Sequence, residues 1–536
     1  MSVTAKRTAV RGGGAGTRRI SVYDTTLRDG SQGSGVTFSV SDKLLVARAL
    51  DRAGVDYVEG GFPGSNPKDE EFFAALADAP LKRARLAAFG ATRRAGGTCE
   101  GDANLAALER SAAGTWTLVG KSDTWQVERV LQTTRDENLA MIRESVAYGV
   151  ARGREVIFDA EHFFDGFTRD PDYALAVCVA AAEAGARWVV LCDTNGGSLP
   201  TRIRAGVEAV AARLGDTGAR VGIHTHNDCE LAVANSLEGV AAGAGMVQGT
   251  INGYGERCGN ANLISVVANL VLKQGYEAMP AGAVAKFSDL SRTVAEIANL
   301  ALPVQQPFVG LGAFAHKGGQ HVAAVLKDAD AYQHIDPTVV GNRQRVLVSE
   351  LSGRGNVLSK AREFGLELDR DDPETRRLVN HLKELEHRGY SYEAADASFE
   401  LLLRRLRPDY RAPWKVVDFT TLVRRHGTSV QAEATVKVEV GDDVFHTAAS
   451  GNGPVNALDA ALRKALIPRF PALKGVRLLD YKVRILDGGS GTAATTRVLI
   501  ESGKGSKRWT TVGCSPNIIE ASLEALMDAL EFARLG

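Results

Sequence analysis

The feature of this sequence that most constrains its fold is an alternation of short β-rich runs with longer runs rich in Ala, Leu and Glu. The alternation extends from about residue 20 to about residue 275 of the 536 residues. The predicted strands are 19–27, 56–61, 85–90, 116–120, 155–162, 188–194, 220–226 and 246–252. Eight such strand–helix units in roughly 255 residues have the size of an α/β protein with a (β/α)8 TIM barrel. A doubly wound parallel sheet is the alternative, but no Gly-x-Gly-x-x-Gly follows the first strand.

The chain changes character on both sides of the predicted barrel, which we place at residues 19–280. Residues 281–410 contain charged, helix-forming stretches and predict helical linker subdomains. Residues 411–536 contain an internal echo, in which strand, turn, strand and a Gly-x-x-Pro precede an amphipathic helix twice. This predicts a C-terminal α+β domain of duplicated ββα units, which either binds an amino acid as a regulatory domain or only dimerises. Residues 1–18 are basic and Gly-rich and predict a disordered tail.

Composition favours a globular protein of the cytoplasm. Lys plus Arg and Asp plus Glu both number 64, so no net charge points to nucleic acid or to an anionic membrane. The apolar runs are far shorter than the ~20 residues that span a bilayer, and the N-terminus lacks the apolar core of a secretory signal. Six cysteines without a Cys-x-x-Cys pair fit a reducing compartment.

Polar residues recur where the predicted strands end, and this is where a (β/α)8 barrel carries its active site. His224 and His226 lie two residues apart on a strand, so their side chains point to the same side. Asp29, after the first strand, and Asn260, after the eighth, can complete a divalent metal site with them. Two hydrogen-bonded histidines at a barrel mouth are the alternative, and Thr225 between them is expected to face away from the ion. Three cysteines near strand ends are interpreted as buried thiols rather than ligands, namely Cys192, Cys229 and Cys258.

Arg28 precedes the predicted ligand Asp29 and has two interpretations. It forms an ion pair with a nearby carboxylate, such as Asp159 or Glu161, or it stabilises an oxyanion beside the metal. If it stabilises an oxyanion, Arg28→Ala lowers turnover by about 10²–10³-fold with little loss of folding.

Three motifs in this order resemble the 2-isopropylmalate synthase, homocitrate synthase and citramalate synthase family: "YDTTLRDGSQ", "HTHND" and "NGYGERCGNANL". Two further stretches, "VEGGFPGSNPKDEEFF" and "DAEHFFDGF", are most similar to the long-type citramalate synthases. The resemblance implies a Claisen-type condensation of acetyl-CoA with a 2-oxo acid, which is pyruvate for that branch. It implies a divalent ion, Mn, Zn, Mg or Co, held by Asp29, His224, His226 and Asn260. By the same resemblance Arg28 and Glu161 are catalytic, and Arg28, Asp159, Glu161 and Thr194 contact substrate.

The resemblance also implies features outside the barrel. His321 in "AHKGGQHV" matches a catalytic histidine of the family, although the Asp that follows it in many relatives is absent, and Tyr332 is a candidate partner. The C-terminal domain implies isoleucine as feedback inhibitor and a homodimer. The alternatives are a 2-isopropylmalate synthase acting on 2-oxoisovalerate, an acyl-CoA lyase on the same barrel, and a non-catalytic amino-acid-binding regulatory protein.

Overall fold

The computed structural model describes residues 18–348, 354–369, 373–407, 409–505 and 507–535. Within them the chain divides into two compact units. The first runs to Phe314 and includes Asp336–Arg343, and the second comprises Ala315–Ile335 and the chain from Gln344 onward. The predicted tail lies outside the described residues except for Arg18, whose guanidinium donates to the carbonyl of Gly243 at 2.7 Å. None of the described helices is long and apolar enough to cross a membrane.

The first unit is a closed barrel of eight parallel strands in sequence order, so the predicted TIM barrel is confirmed. Its strands are β1 (Ser21–Asp24), β2 (Tyr57–Glu59), β3 (Arg85–Ala91), β4 (Thr115–Lys121), β5 (Glu155–Glu161), β6 (Trp188–Asp193), β7 (Arg220–Thr225) and β8 (Met246–Gly249). Its helices are α1 (Val40–Ala53), α2 (Pro67–Asp78), α3 (Ala103–Arg110), α4 (Arg135–Ala151), α5 (Phe163–Arg169), α6 (Pro171–Glu183), α7 (Pro200–Leu214), α8 (Ala232–Ala242), α9 (Leu263–Leu272) and α10 (Phe287–Ile297).

Side chains of alternate strand residues fill the barrel interior, because successive residues of a strand point to opposite faces. Tyr23, Ile157, Val190 and Met246 belong to one buried cluster inside the barrel. The intervening residues pack outward against the helices, which is why the strands are apolar on both faces.

The first strand is shorter than the prediction of 19–27. It ends at Asp24, and the chain then turns, with the amide of Arg28 donating to the carbonyl of Thr25 at 3.2 Å. The predicted run missed this turn because Thr is also a strand-forming residue and Leu27 continues the apolar pattern. The early end of β1 is what brings Asp29 over the barrel mouth.

The second unit begins with a small helical region that also contains a two-stranded sheet. Its elements are β9 (Ala315–His316), α11 (Gly319–Val325), β10 (Arg345–Val346), α12 (Arg354–Glu363), α13 (Pro373–His387) and α14 (Asp396–Arg405). Two repeats follow, each with an antiparallel three-stranded sheet and one helix. The first has β11 (Lys415–His426), β12 (Ser429–Val440), β13 (Asp443–Gly451) and α15 (Pro454–Leu466), and the second has β14 (Arg477–Ile485), β15 (Thr496–Lys504), β16 (Lys507–Ser515) and α16 (Ile518–Arg534).

The duplicated strand–strand–helix pattern is therefore present, with one further strand at the start of each repeat. The internal sequence similarity begins only at β12 and β15. The strands before them, β11 and β14, carry exposed side chains on both faces and share little sequence. The two repeats bury one common core, in which Leu458, Leu462, Leu526 and Leu530 are almost fully inaccessible.

Candidate metal centre and active site

Three predicted ligands meet at the carboxyl end of the barrel strands. Asp29, His224 and His226 each offer a ligand atom, and these atoms lie within 4.8 Å of one another. The Asp29 Oδ2 atom is 3.4 Å from His224 Nε2 and 3.9 Å from His226 Nε2. All three side chains are buried. Two imidazoles and one carboxylate are a donor set that divalent transition ions accept.

Unsatisfied polar atoms beside this cluster fit a metal ion. Asn260 pairs with His226 in an isolated antiparallel β-bridge, and its Nδ2 donates to the carbonyl of Tyr254 at 3.1 Å. Its Oδ1 and the Nδ1 of His226 are buried without a hydrogen-bond partner among the described residues. Buried polar atoms are rarely left without partners, so the free Oδ1 of Asn260 beside a three-ligand cluster is consistent with a cation site that includes Asn260.

The charges around the cluster favour an ionised Asp29 and a neutral His226. Burial alone would raise the pKa of the Asp29 carboxyl, but Arg28 and the two histidines hold it well below its ordinary value. Burial, together with the charge of His224, lowers the pKa of His226 to about 3. A carboxylate and a neutral imidazole are the forms that bind metal.

Arg28 is held by groups other than those expected from the sequence. Its Nε donates to Glu59 Oε2 at 2.7 Å, its Nη1 is 3.5 Å from Asp29, and its guanidinium lies 3.9 Å from the centre of the Phe89 ring. An ion pair with a nearby carboxylate, one of the two interpretations of Arg28, is therefore present, but its partners are Glu59 and Asp29 and not Asp159 or Glu161. Glu59 ends β2, which is next to β1 in the barrel, so its side chain reaches Arg28 directly.

Glu59 is itself fully buried and accepts three hydrogen bonds. The Tyr23 hydroxyl donates to it at 2.6 Å, and the Thr25 hydroxyl and Arg28 also donate to it. Arg28 thus neutralises a buried carboxylate and keeps the rest of its guanidinium at the barrel mouth, beside Asp29.

Asp159 lies inside the barrel below the cluster and contacts Gln248. The Gln248 Nε2 donates to Asp159 Oδ1 at 3.0 Å, and its Oε1 is 2.7 Å from His224 Nδ1. Burial and the negative charge of Glu59 raise the pKa of Asp159 to about 7. Sequence reasoning missed Gln248, although its position two residues after the inward-facing Met246 indicates an inward side chain.

The other residues of the "HTHND" stretch are structural. The Thr225 hydroxyl donates to the carbonyl of Ala232 at 2.9 Å, so Thr225 faces α8 and not the metal cluster, as expected. Asn227 accepts from the amide of Ala232 at 3.2 Å, which supports the start of α8, and Asp228 pairs with Arg257. Of the three cysteines expected to be buried, Cys192 is, whereas Cys229 and Cys258 are exposed.

Comparison with known proteins decides the family. Models described as HMGL-like, homocitrate synthase post-HMGL domain-like and LeuA allosteric (dimerisation) domain match residues 19–295, 308–390 and 393–533. An (R)-citramalate synthase of Geobacter sulfurreducens is 49% identical over 96% of this chain and 97% of that protein. One of Sulfolobus acidocaldarius is 43% identical over 96% and 97%. A probable 2-isopropylmalate synthase of Methanopyrus kandleri is 33% identical over 95% and 97%.

The chain belongs to the citramalate and 2-isopropylmalate synthase family. The family predicted from the three motifs is confirmed. Enzymes of the HMGL-like family use a divalent metal ion and acetyl-CoA, in agreement with the cluster at the barrel mouth.

The remaining residues that the synthase family implies lie in two places. In the barrel, Glu161 forms an ion pair with Lys121, and the Thr194 hydroxyl accepts from the amide of His162 at 2.8 Å. In the second unit, the rings of His321 and Tyr332 stack with centroids 4.2 Å apart, and Tyr332 is 50% exposed.

Proposed function

We propose that this protein is an (R)-citramalate synthase, an acyltransferase that converts acetyl-CoA, pyruvate and water into (R)-citramalate and CoA. The observation that carries the proposal is the 43% to 50% identity to (R)-citramalate synthases over almost the whole chain. The 2-isopropylmalate synthases compared with it are 29% to 33% identical. Citramalate formation begins the pyruvate route to isoleucine.

Asp29, His224 and His226, with Asn260, would hold the divalent ion. When bound, the ion supplies a Lewis acid that polarises the ketone of the 2-oxo acid. The two imidazoles favour Mn, Zn or Co over Mg, which prefers oxygen ligands. We propose Asp159, Glu161 and Thr194 for contacts to the 2-oxo acid.

Arg28 is positioned to stabilise negative charge that develops on oxygen during the condensation. Its guanidinium is partly buried, fixed by Glu59 and Phe89, and adjacent to Asp29. A fixed cation needs no reorganisation when the charge appears, and this is the main advantage of a preorganised site over water. A base must remove a proton from the acetyl methyl group, and the proposed candidates are Glu161, His321 and Tyr332.

We also propose that the protein is a homodimer and that isoleucine inhibits it through the C-terminal region. The match of residues 393–533 to the LeuA allosteric (dimerisation) domain supports both statements. Inhibition requires that isoleucine bind a less active conformation more tightly.

We propose a division into residues 19–280, 281–410 and 411–536. The three family models match in the same order, at residues 19–295, 308–390 and 393–533, which supports three parts. The six unpaired cysteines support the cytoplasm as the proposed location.

A substrate panel tests the proposed function. The full chain is incubated with acetyl-CoA, Mn²⁺ and either pyruvate or 2-oxoisovalerate, and released CoA is measured with a thiol reagent, with and without isoleucine. We expect CoA release with pyruvate, (R)-citramalate on chiral chromatography, and inhibition by isoleucine. Faster release with 2-oxoisovalerate than with pyruvate would contradict the assignment.

The matched control is His226→Ala, which should remain folded and lose both metal and CoA release. An equal metal content in this variant and the wild type would show that His226 is not a metal ligand. The absence of CoA release with either 2-oxo acid would favour a non-catalytic regulatory protein.

A further inference from the structure

Gln248 connects the metal cluster to a carboxylate deeper in the barrel. It lies on β8 with its side chain fully buried. One end of the amide contacts Asp159 Oδ1 at 3.0 Å and the other contacts His224 Nδ1 at 2.7 Å. Both distances are those of ordinary hydrogen bonds, so the amide is fixed at both ends.

The chemistry of these groups gives each hydrogen bond a direction. The Gln248 Nε2 donates to Asp159 Oδ1, so the NH₂ end of the amide faces Asp159 and the carbonyl end faces His224. With the amide reversed, its oxygen would face an oxygen of the ionised Asp159 carboxylate, and two acceptors would lie 3.0 Å apart.

The amide oxygen can only accept, so His224 Nδ1 must carry a proton. In a neutral imidazole the other nitrogen then holds the lone pair. That nitrogen, Nε2, is the atom 3.4 Å from Asp29 Oδ2, in the metal cluster.

We propose that Gln248 is a positioning residue that selects the metal-binding tautomer of His224 and orients its ring. Asp159 acts through it, by fixing which end of the amide faces the histidine. The inference rests on the proposed metal site. It adds Gln248 to that site as a supporting group, and it gives Asp159 a supporting role besides its proposed contact to the 2-oxo acid. Outer groups that fix a ligating histidine typically change metal affinity by about 10–100-fold when they are removed.

Two variants of Gln248 separate its hydrogen bond from its volume. Gln248→Leu fills similar space but offers no acceptor to His224. Gln248→Glu keeps an acceptor oxygen for His224 Nδ1. The control is Asn138→Leu, which removes an equally buried amide that donates to the carbonyl of Lys121 and to the Tyr173 hydroxyl.

The dissociation constant for Zn²⁺ is measured on the metal-free full chain by competition with a chelating dye. We expect a constant about 10–100-fold larger for Gln248→Leu. Gln248→Glu should stay nearer to the wild type, and Asn138→Leu should match the wild type. A Gln248→Leu constant within twofold of the wild type would overturn the inference, as would equal losses in the Leu and Glu variants.

A second readout needs no variant of Gln248 to fold. The chain contains ten histidines, so ¹⁵N-histidine labelling with a His224→Gln spectrum for assignment resolves the tautomer of His224 in the metal-free wild type, at a pH high enough for its ring to be neutral. We expect the proton on Nδ1, and a proton on Nε2 alone would overturn the inference. If the wild type binds no Zn²⁺ although Nδ1 carries the proton, the proposed metal site fails while the role of Gln248 in fixing the tautomer stands.

Discussion

Replacement of Arg28 by Ala should damage both turnover and stability, and the two effects have separate causes. The side chain of Arg28 is 12% exposed, and that of its partner Glu59 is 0% exposed. The substitution removes a cation from the barrel mouth and also leaves a buried carboxylate without its charged donor. The sequence-based expectation of little loss of folding takes account of only the first effect.

The magnitudes follow from these contacts. Removal of one donor to a developing oxyanion costs about 10²–10³-fold in turnover. Removal of one partner of a buried ion pair costs about 3–5 kcal/mol. Glu59 keeps hydrogen bonds from Tyr23 and Thr25, so we expect the lower end, about 3 kcal/mol, for the free energy of unfolding of the barrel.

The assay compares three variants: Arg28→Ala, Glu59→Gln and Arg28→Ala/Glu59→Gln. Turnover is measured by CoA release, and unfolding is followed in urea by the fluorescence of the buried tryptophans, of which Trp116 and Trp188 lie on barrel strands. The double variant replaces the unpaired carboxylate with a neutral amide, so it should regain most of the lost stability and little of the lost turnover. If Arg28→Ala is as stable as the wild type, the buried Glu59 carboxylate does not need the charge of Arg28 to remain buried. If Arg28→Ala keeps near-normal turnover, the role of Arg28 is structural.

Three further predictions concern stability. Burial and the charge of Glu59 raise the pKa of Asp24 to about 7, so the folded state favours its neutral form. The free energy of unfolding of the wild type should therefore fall, relative to that of Asp24→Asn, by up to about 1.4 kcal/mol per pH unit as pH rises from about 4 to 7. Parallel plots of unfolding free energy against pH for the two proteins would contradict this. Thr225→Val should lower the free energy of unfolding by about 1–3 kcal/mol, because the carbonyl of Ala232 loses its hydroxyl donor. Zn²⁺ affinity should stay unchanged, and weaker Zn²⁺ binding would show that Thr225 faces the metal. Gly513→Ala should lower the melting temperature of the second unit, because a Cβ there would overlap the carbonyl oxygen of Ala521, and an unchanged temperature would refute that close packing.

The sequence by itself determined the barrel and the place of its site. Each β–α unit is a local pattern of strand and helix periodicity, and eight repeats of it leave few alternatives. The period of two residues also put His224 and His226 on one side of the extended chain at the end of β7 and turned Thr225 toward α8. These properties depend only on neighbours along the chain, so they can be deduced before the structure is known.

The partners of Arg28 and His224 were decided only by the tertiary structure. Glu59 reaches Arg28 because β1 and β2 are adjacent, and because β1 ends at Asp24 rather than at residue 27. Gln248 joins Asp159 to His224 because closure of the barrel sets the register among β5, β7 and β8. A sequence pattern states which way a side chain points along its own strand, but contacts across the barrel depend on how far each strand is shifted against the others, and only the folded structure fixes that shift.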